Sequence, residues 1–107
     1  MSSLRNPNRR PTHPGAILRE DVLPALDMTQ TELAALLGVS RLSVSELLHE
    51  KRALSAEMAA RVATLLQTTP ESWLRMQTAV DLWEIQQQPA RLAAVKPLPM
   101  ARLAAIA

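Results

Sequence analysis

Polar and basic side chains suited to hydrogen bonding with DNA bases follow one another in the segment SRLSVSE, residues 40–46. An arginine such as Arg41 can donate two hydrogen bonds to one guanine, and a serine hydroxyl can hydrogen-bond several bases. Leu42 either contacts a thymine methyl group or packs inside the protein, and the sequence leaves both possibilities open. We predict that the side chains reading base edges are Ser40, Arg41, Leu42, Ser43 and Ser45.

Four further residues have the chemistry and position to contact DNA phosphates. Thr29 and Gln30 stand at the predicted start of a helix, where backbone amides and the helix dipole favour an anion. Lys51 and Arg52 follow the candidate base-reading helix and can neutralise the DNA backbone. The two sets together predict a nucleic-acid interface.

The histidines and serines do not form a pattern typical of metal binding or catalysis. His13 and His49 are the chain's 2 histidines, and no carboxylate cluster accompanies them at ligand spacing. Ser43 and Ser45 lack a plausible histidine and acid partner. The sequence has no cysteine and no glycine-rich phosphate loop. We therefore expect no metal, no cofactor and no enzymatic activity, and we expect His13 to cap a helix.

Composition predicts a single all-α domain from a reducing compartment. The chain has 107 residues, 48% of them hydrophobic, with 2 glycines and no Phe or Tyr. Alternating β-branched runs are scarce, which favours helices. No apolar run approaches the roughly 18 residues of a membrane span, and no signal peptide is recognisable. The sequence therefore indicates a cytoplasmic protein without membrane contact.

Local signals divide the chain into an arm, a domain and a tail. Residues 1–12 are rich in Ser, Asn, Pro and Arg and predict a basic, mobile arm. Residues 13–88 contain five helical patterns, and residues 89–107 form a Pro/Ala-rich tail, either flexible or a short helix. Pro24 is expected to end the first helix or to kink its last turn.

Capping residues set the starts of the later helices. Thr29 with Glu32 forms a capping box, and Ser40, Ser55 and Thr69 precede the next three helices. Gly38 is the expected left-handed stop between the second and third helices. Two short helices joined by this tight turn form a helix-turn-helix unit.

The segment TQTELAALLGVSRLSVSELLHEKRALS resembles the Cro-type (XRE) helix-turn-helix. Together with HPGAILREDVL before it and MAARVATLLQTTPESWLRMQTAVDLWE after it, the chain resembles the HigA (VapI-like) antitoxins over residues 12–85. The resemblance implies a five-helix, lambda-repressor-like fold. One departure is His49-Glu50, where the family often has Asn-Gly; without glycine a left-handed stop costs about 1 kcal/mol.

The same resemblance implies two kinds of partner. Members of this family are homodimers that repress their own operons at palindromic operator DNA and neutralise a HigB-like toxin, an mRNA endonuclease. Two alternatives stay open: an ordinary XRE-type regulator without a toxin, and a protein-binding module that no longer binds DNA. Glu46 and Glu50, anions near the expected DNA path, support the second alternative.

The fifth helix carries two apolar arcs, one of which exceeds what a single core requires. Trp73, Val80 and their neighbours form one arc, and the other predicts a dimer interface at Leu74, Leu82 and Ile85. The alternative is that the other helices and the tail bury both arcs.

An acidic patch predicts the toxin contact. The family's toxins act on mRNA and should be basic, so an acidic surface is their electrostatic complement. We predict this surface at Glu20, Asp21 and Asp27, within residues 14–27, with the tail as the second choice.

Overall fold

The computed structural model describes residues 8–106, and this part of the chain contains helices and no strands. The first helix, α1, consists of the consecutive segments Pro14–Ile17, Leu18–Val22 and Leu23–Leu26. The next four helices are α2 (Gln30–Leu37), α3 (Arg41–Leu48), α4 (Ala56–Leu66) and α5 (Pro70–Gln86). The predicted all-α, five-helix fold is confirmed.

Helix α1 continues through Pro24 instead of ending there. Its middle segment, Leu18–Val22, is a π-helical turn, and the last α-helical segment starts at Leu23. Proline lacks the N–H that a regular α-helix requires, and a π turn is one way to accommodate such a break. The helix ends at Asp27, whose φ of 50° is left-handed.

Side-chain caps begin all five helices. Thr29, Ser40, Ser55 and Thr69 each accept a hydrogen bond from the backbone N–H three residues later. His13 caps α1, because its Nδ1 accepts from the N–H of Gly15 at 2.9 Å. The capping box at Thr29 is half formed, since among the described residues the Glu32 carboxylate returns no hydrogen bond.

The core lies where α1, α2, α3 and α4 meet, with α5 closing it. Helix α2 packs on α3, α1 packs on α3 and α5, and α4 packs on α2 and α5. Each of these five helices contributes fully buried side chains: Leu18, Leu33, Val44, Leu47, Leu48, Val62 and Val80. This packing fixes α3 by its inner face and leaves its outer face open.

The tail forms short helices outside the core. Pro89–Leu92 and Ala104–Ile106 are 3₁₀ turns, and Met100–Leu103 is one α-helical turn, α6. None of these segments contains a buried residue. The large exposed apolar side chains of the tail are Leu92, Val95, Leu98, Met100 and Ile106. Of the two predicted alternatives, the structure has the short helix. None of the described helices is long and apolar enough to cross a membrane.

Candidate nucleic-acid interface

The outer face of α3 carries the candidate base-reading residues. Val44, Leu47 and Leu48 are buried on the opposite face. Leu42 is 66% exposed, so it does not pack into the chain's own core. Arg41 is also exposed. This open face can approach a partner as a ridge one helix wide.

The serines of α3 are partly committed within the helix. The Ser40 hydroxyl accepts from the backbone N–H of Ser43 at 3.1 Å and contacts the Ser43 hydroxyl at 2.9 Å. Ser45 is half-buried, and its hydroxyl lies 3.4 Å from Nδ1 of His49. Of the predicted set, Arg41 and Leu42 are therefore the most open to a partner.

The side chain of Arg52, predicted to contact the DNA backbone, lies against α3. Its Nη2 donates to Oε1 of Glu46 at 2.6 Å, and its Nη1 donates to the Ser43 hydroxyl at 3.2 Å. Lys51 is exposed beside it. No local pattern in the sequence indicates this pairing, because it depends on how the chain turns after α3.

That turn is built on Glu50, which takes a left-handed conformation with φ 61°. Its carboxylate accepts from Arg10 Nη1 at 2.6 Å and from Arg19 Nη1 at 3.3 Å. The Arg10 hydrogen bond is the main reason that the pKa of Glu50 is lowered, with Arg19 adding to the effect. Hydrogen bonds to acidic partners, Glu50 for Arg10 and chiefly Glu20 for Arg19, raise the pKa of both arginines.

Helix α1 is tied to the end of α3 by backbone contacts. Arg19 Nη1 donates to the Leu48 carbonyl at 2.5 Å, which satisfies an acceptor at the helix terminus. A Cβ atom on Gly15 would lie 1.9 Å from the Leu47 carbonyl oxygen, so this approach requires glycine. His13 is buried beside it, and burial lowers the pKa of its imidazole.

Thr29 and Gln30 lie at the start of α2. The Thr29 hydroxyl caps the Glu32 N–H at 3.1 Å, and both residues stand where the helix dipole favours an anion. At the other end of α2, Arg61 Nη1 donates to the Leu37 carbonyl at 2.8 Å. Arginines from other helices therefore hold the last carbonyls of both helices in the unit.

Gln77 is a buried polar residue that sequence reasoning left without a role. Its Oε1 accepts from the Leu54 N–H at 2.8 Å, and its Nε2 donates to Asp81 at 2.9 Å. The amide thus joins α5 to the loop after α3. The spacing of Gln77 and Asp81, four residues apart on one helix, is the signal that could have indicated half of this network.

The three residues predicted for a dimer interface differ in exposure. Leu82 is 52% exposed, Ile85 is half-buried, and Leu74 packs partly against the chain's own core. The other arc, with Trp73 and Val80, is buried as predicted. The surplus apolar surface of α5 is therefore concentrated at Leu82.

The predicted acidic patch lies along the second half of α1. Glu20, Asp21 and Asp27 are exposed, and Glu20 pairs with Arg19.

Within the described residues, no group of three His, Cys, Asp or Glu side chains is placed to hold a metal ion. Residues 1–7 of the predicted arm lie outside the described residues, and Arg10 contacts Glu50 and Glu84.

Comparison with known proteins adds independent information. The helix-turn-helix family model matches residues 18–74. An uncharacterized HTH-type transcriptional regulator, YbaQ of Escherichia coli strain K12, is 47% identical over 83 residues, 78% of this chain and 74% of YbaQ. Antitoxin HigA-1 of Vibrio cholerae is 39% identical over 98 residues, 89% of this chain and 90% of HigA-1.

A solved structure shares both the fold and much of the sequence. Antitoxin GraA in complex with its operator matches with a TM-score of 0.77 and 40% sequence identity. The match covers 89% of this chain and 97% of the GraA chain.

Proposed function

The chain belongs to the HigA antitoxin family of helix-turn-helix proteins, and from this premise we propose that it represses its own operon and neutralises a HigB-like, mRNA-cleaving toxin. It is a DNA-binding regulator of the antitoxin class and not an enzyme. The observation that carries the DNA part is the open outer face of α3, in a fold that matches operator-bound GraA. The relationship to HigA-1 supports the toxin part.

In this proposal, Arg41 reads a base, and Lys51 contacts a phosphate. Thr29 and Gln30, at the start of α2, contact phosphates as well. Arg41→Ala is expected to cost about 1–3 kcal/mol on the operator and to relax the preference at one base pair. Lys51→Ala should weaken binding to all DNA sequences alike. It should also reduce the slope of log affinity against log salt concentration by roughly one unit. Arg75→Ala, an exposed change on α5, is the control.

The assay measures affinity for duplex DNA from upstream of the chain's own gene and for random duplex, across a salt series. A wild-type protein without preference for the upstream DNA would refute operator binding. An Arg41→Ala loss of equal size on both duplexes would refute the base-reading role alone.

We further propose a homodimer formed through α5, which would match a palindromic operator. The exposed Leu82 and half-buried Ile85 support this, with Leu74 at the margin. Leu82→Glu would place an unpaired carboxylate in the interface, which is strongly unfavourable. A folded monomer is expected by ultracentrifugation and circular dichroism, and an unchanged dimer would place the interface elsewhere.

For toxin binding we propose the acidic patch of α1, at Glu20, Asp21 and Asp27. The double change Glu20→Lys and Asp21→Lys should weaken binding of the HigB-like toxin. It should also reduce the dependence of that binding on salt concentration. The tail is the alternative contact surface, and its exposed apolar side chains support it. Unchanged capture by the double variant, with loss on deleting residues 90–107, would move the contact to the tail.

A second candidate function is an XRE-type regulator without a toxin partner. The 47% identity to YbaQ, a relative described as a transcriptional regulator, favours it. A neighbouring gene for a small basic toxin would decide for the antitoxin. The alternative of a module without DNA binding loses support, because Glu46 and Glu50 are both paired with arginines.

A further inference from the structure

We propose that Arg52 reads a guanine in the operator and that Glu46 holds its guanidinium in the reading orientation. This inference rests on the proposed DNA binding and changes the role of Arg52 from phosphate contact to specificity determinant. It also gives a role to Glu46, an anion that would otherwise oppose DNA.

Glu46 shares a face of α3 with the exposed Leu42. Glu46 follows Leu42 by four residues, and residues with this spacing lie on the same face of a helix. Leu42 is 66% exposed on the outer face, whereas Val44, Leu47 and Leu48 are buried on the inner one. Glu46 therefore stands where α3 would meet the base edges.

Arg52 is held by two hydrogen bonds and keeps further donors for a partner. Two of its N–H groups are used, one on Glu46 Oε1 at 2.6 Å and one on the Ser43 hydroxyl at 3.2 Å. A guanidinium has five N–H donors in a planar fork, so three remain for a partner. The side chain is 47% exposed, and guanine presents two acceptors, O6 and N7, to such a donor.

The pair between Glu46 and Arg52 affects both the charge and the mobility of this surface. A bare carboxylate on the outer face would repel phosphates and the acceptor atoms of guanine. Pairing with Arg52 neutralises this charge and fixes a flexible side chain before binding, which lowers the entropy lost on association. The two contacts also keep the guanidinium beside the helix face that would meet the bases.

The experiment compares Arg52→Lys and Glu46→Gln with wild type. Affinities are measured for the upstream operator, for operators with each base pair changed singly, and for random duplex. Lysine keeps the charge but loses the planar fork, so it separates base reading from phosphate contact. Glu57→Gln is the matched control, because Glu57 pairs with Arg61 on α4 in an exposed Arg–Glu pair of the same kind. Circular dichroism checks that each variant is folded.

We expect Arg52→Lys to weaken operator binding by about 5- to 150-fold, the equivalent of one bidentate base contact, and to leave random duplex nearly unchanged. The lost discrimination should fall at one G·C pair, and Glu46→Gln should lose discrimination at the same pair. The double variant should lose no more than Arg52→Lys alone, because the two residues act as a unit.

Two results would overturn the inference while leaving operator binding intact. One is an Arg52→Lys variant that discriminates all base pairs as wild type does. The other is lost discrimination in Glu46→Gln alone, which would mean that Glu46 reads a cytosine directly. A wild-type protein that binds operator and random duplex equally would refute the proposed function, and this inference with it.

Discussion

The turns before and after α3 both reverse the chain in a left-handed conformation, yet they are stabilised differently. Gly38, before α3, has φ 71°, and Glu50, after it, has φ 61°. Glycine adopts this region without a steric penalty, whereas a residue with a Cβ atom is disfavoured there. At Gly38 the residue type is sufficient, and at Glu50 ion pairs from α1 and the arm accompany the strained backbone.

The two turns also share a hydrogen bond from an arginine of another helix. An arginine from another helix donates to the last carbonyls before each turn, Arg61 to Leu37 and Arg19 to Leu48. Arg61 packs next to a glycine that can form the turn unaided. Arg19 additionally pairs with Glu50 itself, so the second turn depends on the docking of α1.

The largest expected effect is on this docking. Gly15→Ala would place a methyl group 1.9 Å from the Leu47 carbonyl oxygen, a backbone atom that cannot move aside without shifting α3. We expect a loss of about 3 kcal/mol in unfolding free energy, measured by urea denaturation. Helix propensity alone predicts the opposite sign, since alanine is favoured over glycine by about 1 kcal/mol within a helix. A stabilised variant would therefore show that α1 does not hold the second turn closely.

Gly38→Ala tests the first turn and should cost less. The added Cβ would lie 3.3 Å from Arg61 Nη1, a tight contact that the end of this flexible side chain can relieve by a small shift. The cost is therefore the left-handed backbone, about 1–2 kcal/mol. Gly38→Asn is the matched control and should lose less, because asparagine tolerates this conformation. Equal losses for both variants would mean that space, and not φ, requires glycine here.

These two glycines show what the sequence could predict and where it stopped. The stop at Gly38 and the caps at Thr29, Ser40, Ser55 and Thr69 depend on neighbours within a few residues, so local patterns predict them. The requirement for Gly15 arises from a carbonyl 32 positions away, at Leu47, and no periodicity encodes that distance.

The candidate site divides in the same way. Periodicity predicted that Arg41 points outward and Val44 inward, because one helix determines both directions. The sequence left Leu42 open, and the structure shows it exposed. The path of the chain after α3 determines two ion pairs that local patterns do not predict. Arg52 pairs with Glu46, and Glu50 pairs with Arg10 across 40 positions. The sequence showed that Glu50 departed from the family pattern, and the structure supplies the compensation.

Substitution of Glu50 can separate its backbone strain from its ion pairs. Glu50→Ala removes the pairs and keeps a Cβ atom at φ 61°, whereas Glu50→Gly removes the pairs and the strain together. We expect Glu50→Gly to be the more stable of the two by about 1 kcal/mol in denaturant unfolding. Equal stabilities would indicate that the turn relaxes out of the left-handed region once its arginines are lost.

The smallest expected effect is the pH dependence of the second turn. Hydrogen bonding to Arg10, with help from Arg19, lowers the pKa of Glu50 below its ordinary value of 4.5. The unfolded chain therefore binds this proton at higher pH than the folded chain does. The stabilisation is fully present above pH 4.5 and is lost as pH falls through the lowered pKa.

Other groups near Glu50 must be separated from this effect. His13 faces the same carboxylate, and burial lowers its pKa from 6.5. Its contribution to stability therefore begins to be lost as the pH falls below 6.5, before that of Glu50 is affected. Glu50→Gln should remove the acid-side dependence that this carboxylate causes, a change below about 1 kcal/mol since the pair is partly exposed. It should also lower the pKa of His13 further, because the Glu50 charge raises it. Glu57→Gln, beside the first turn, is the control. Urea unfolding between pH 3 and pH 7, a span of about 4 units around the ordinary pKa values of Glu and His, measures all three proteins. An unchanged acid slope in Glu50→Gln would show that the second turn does not depend on its charge, which would make the two turns alike.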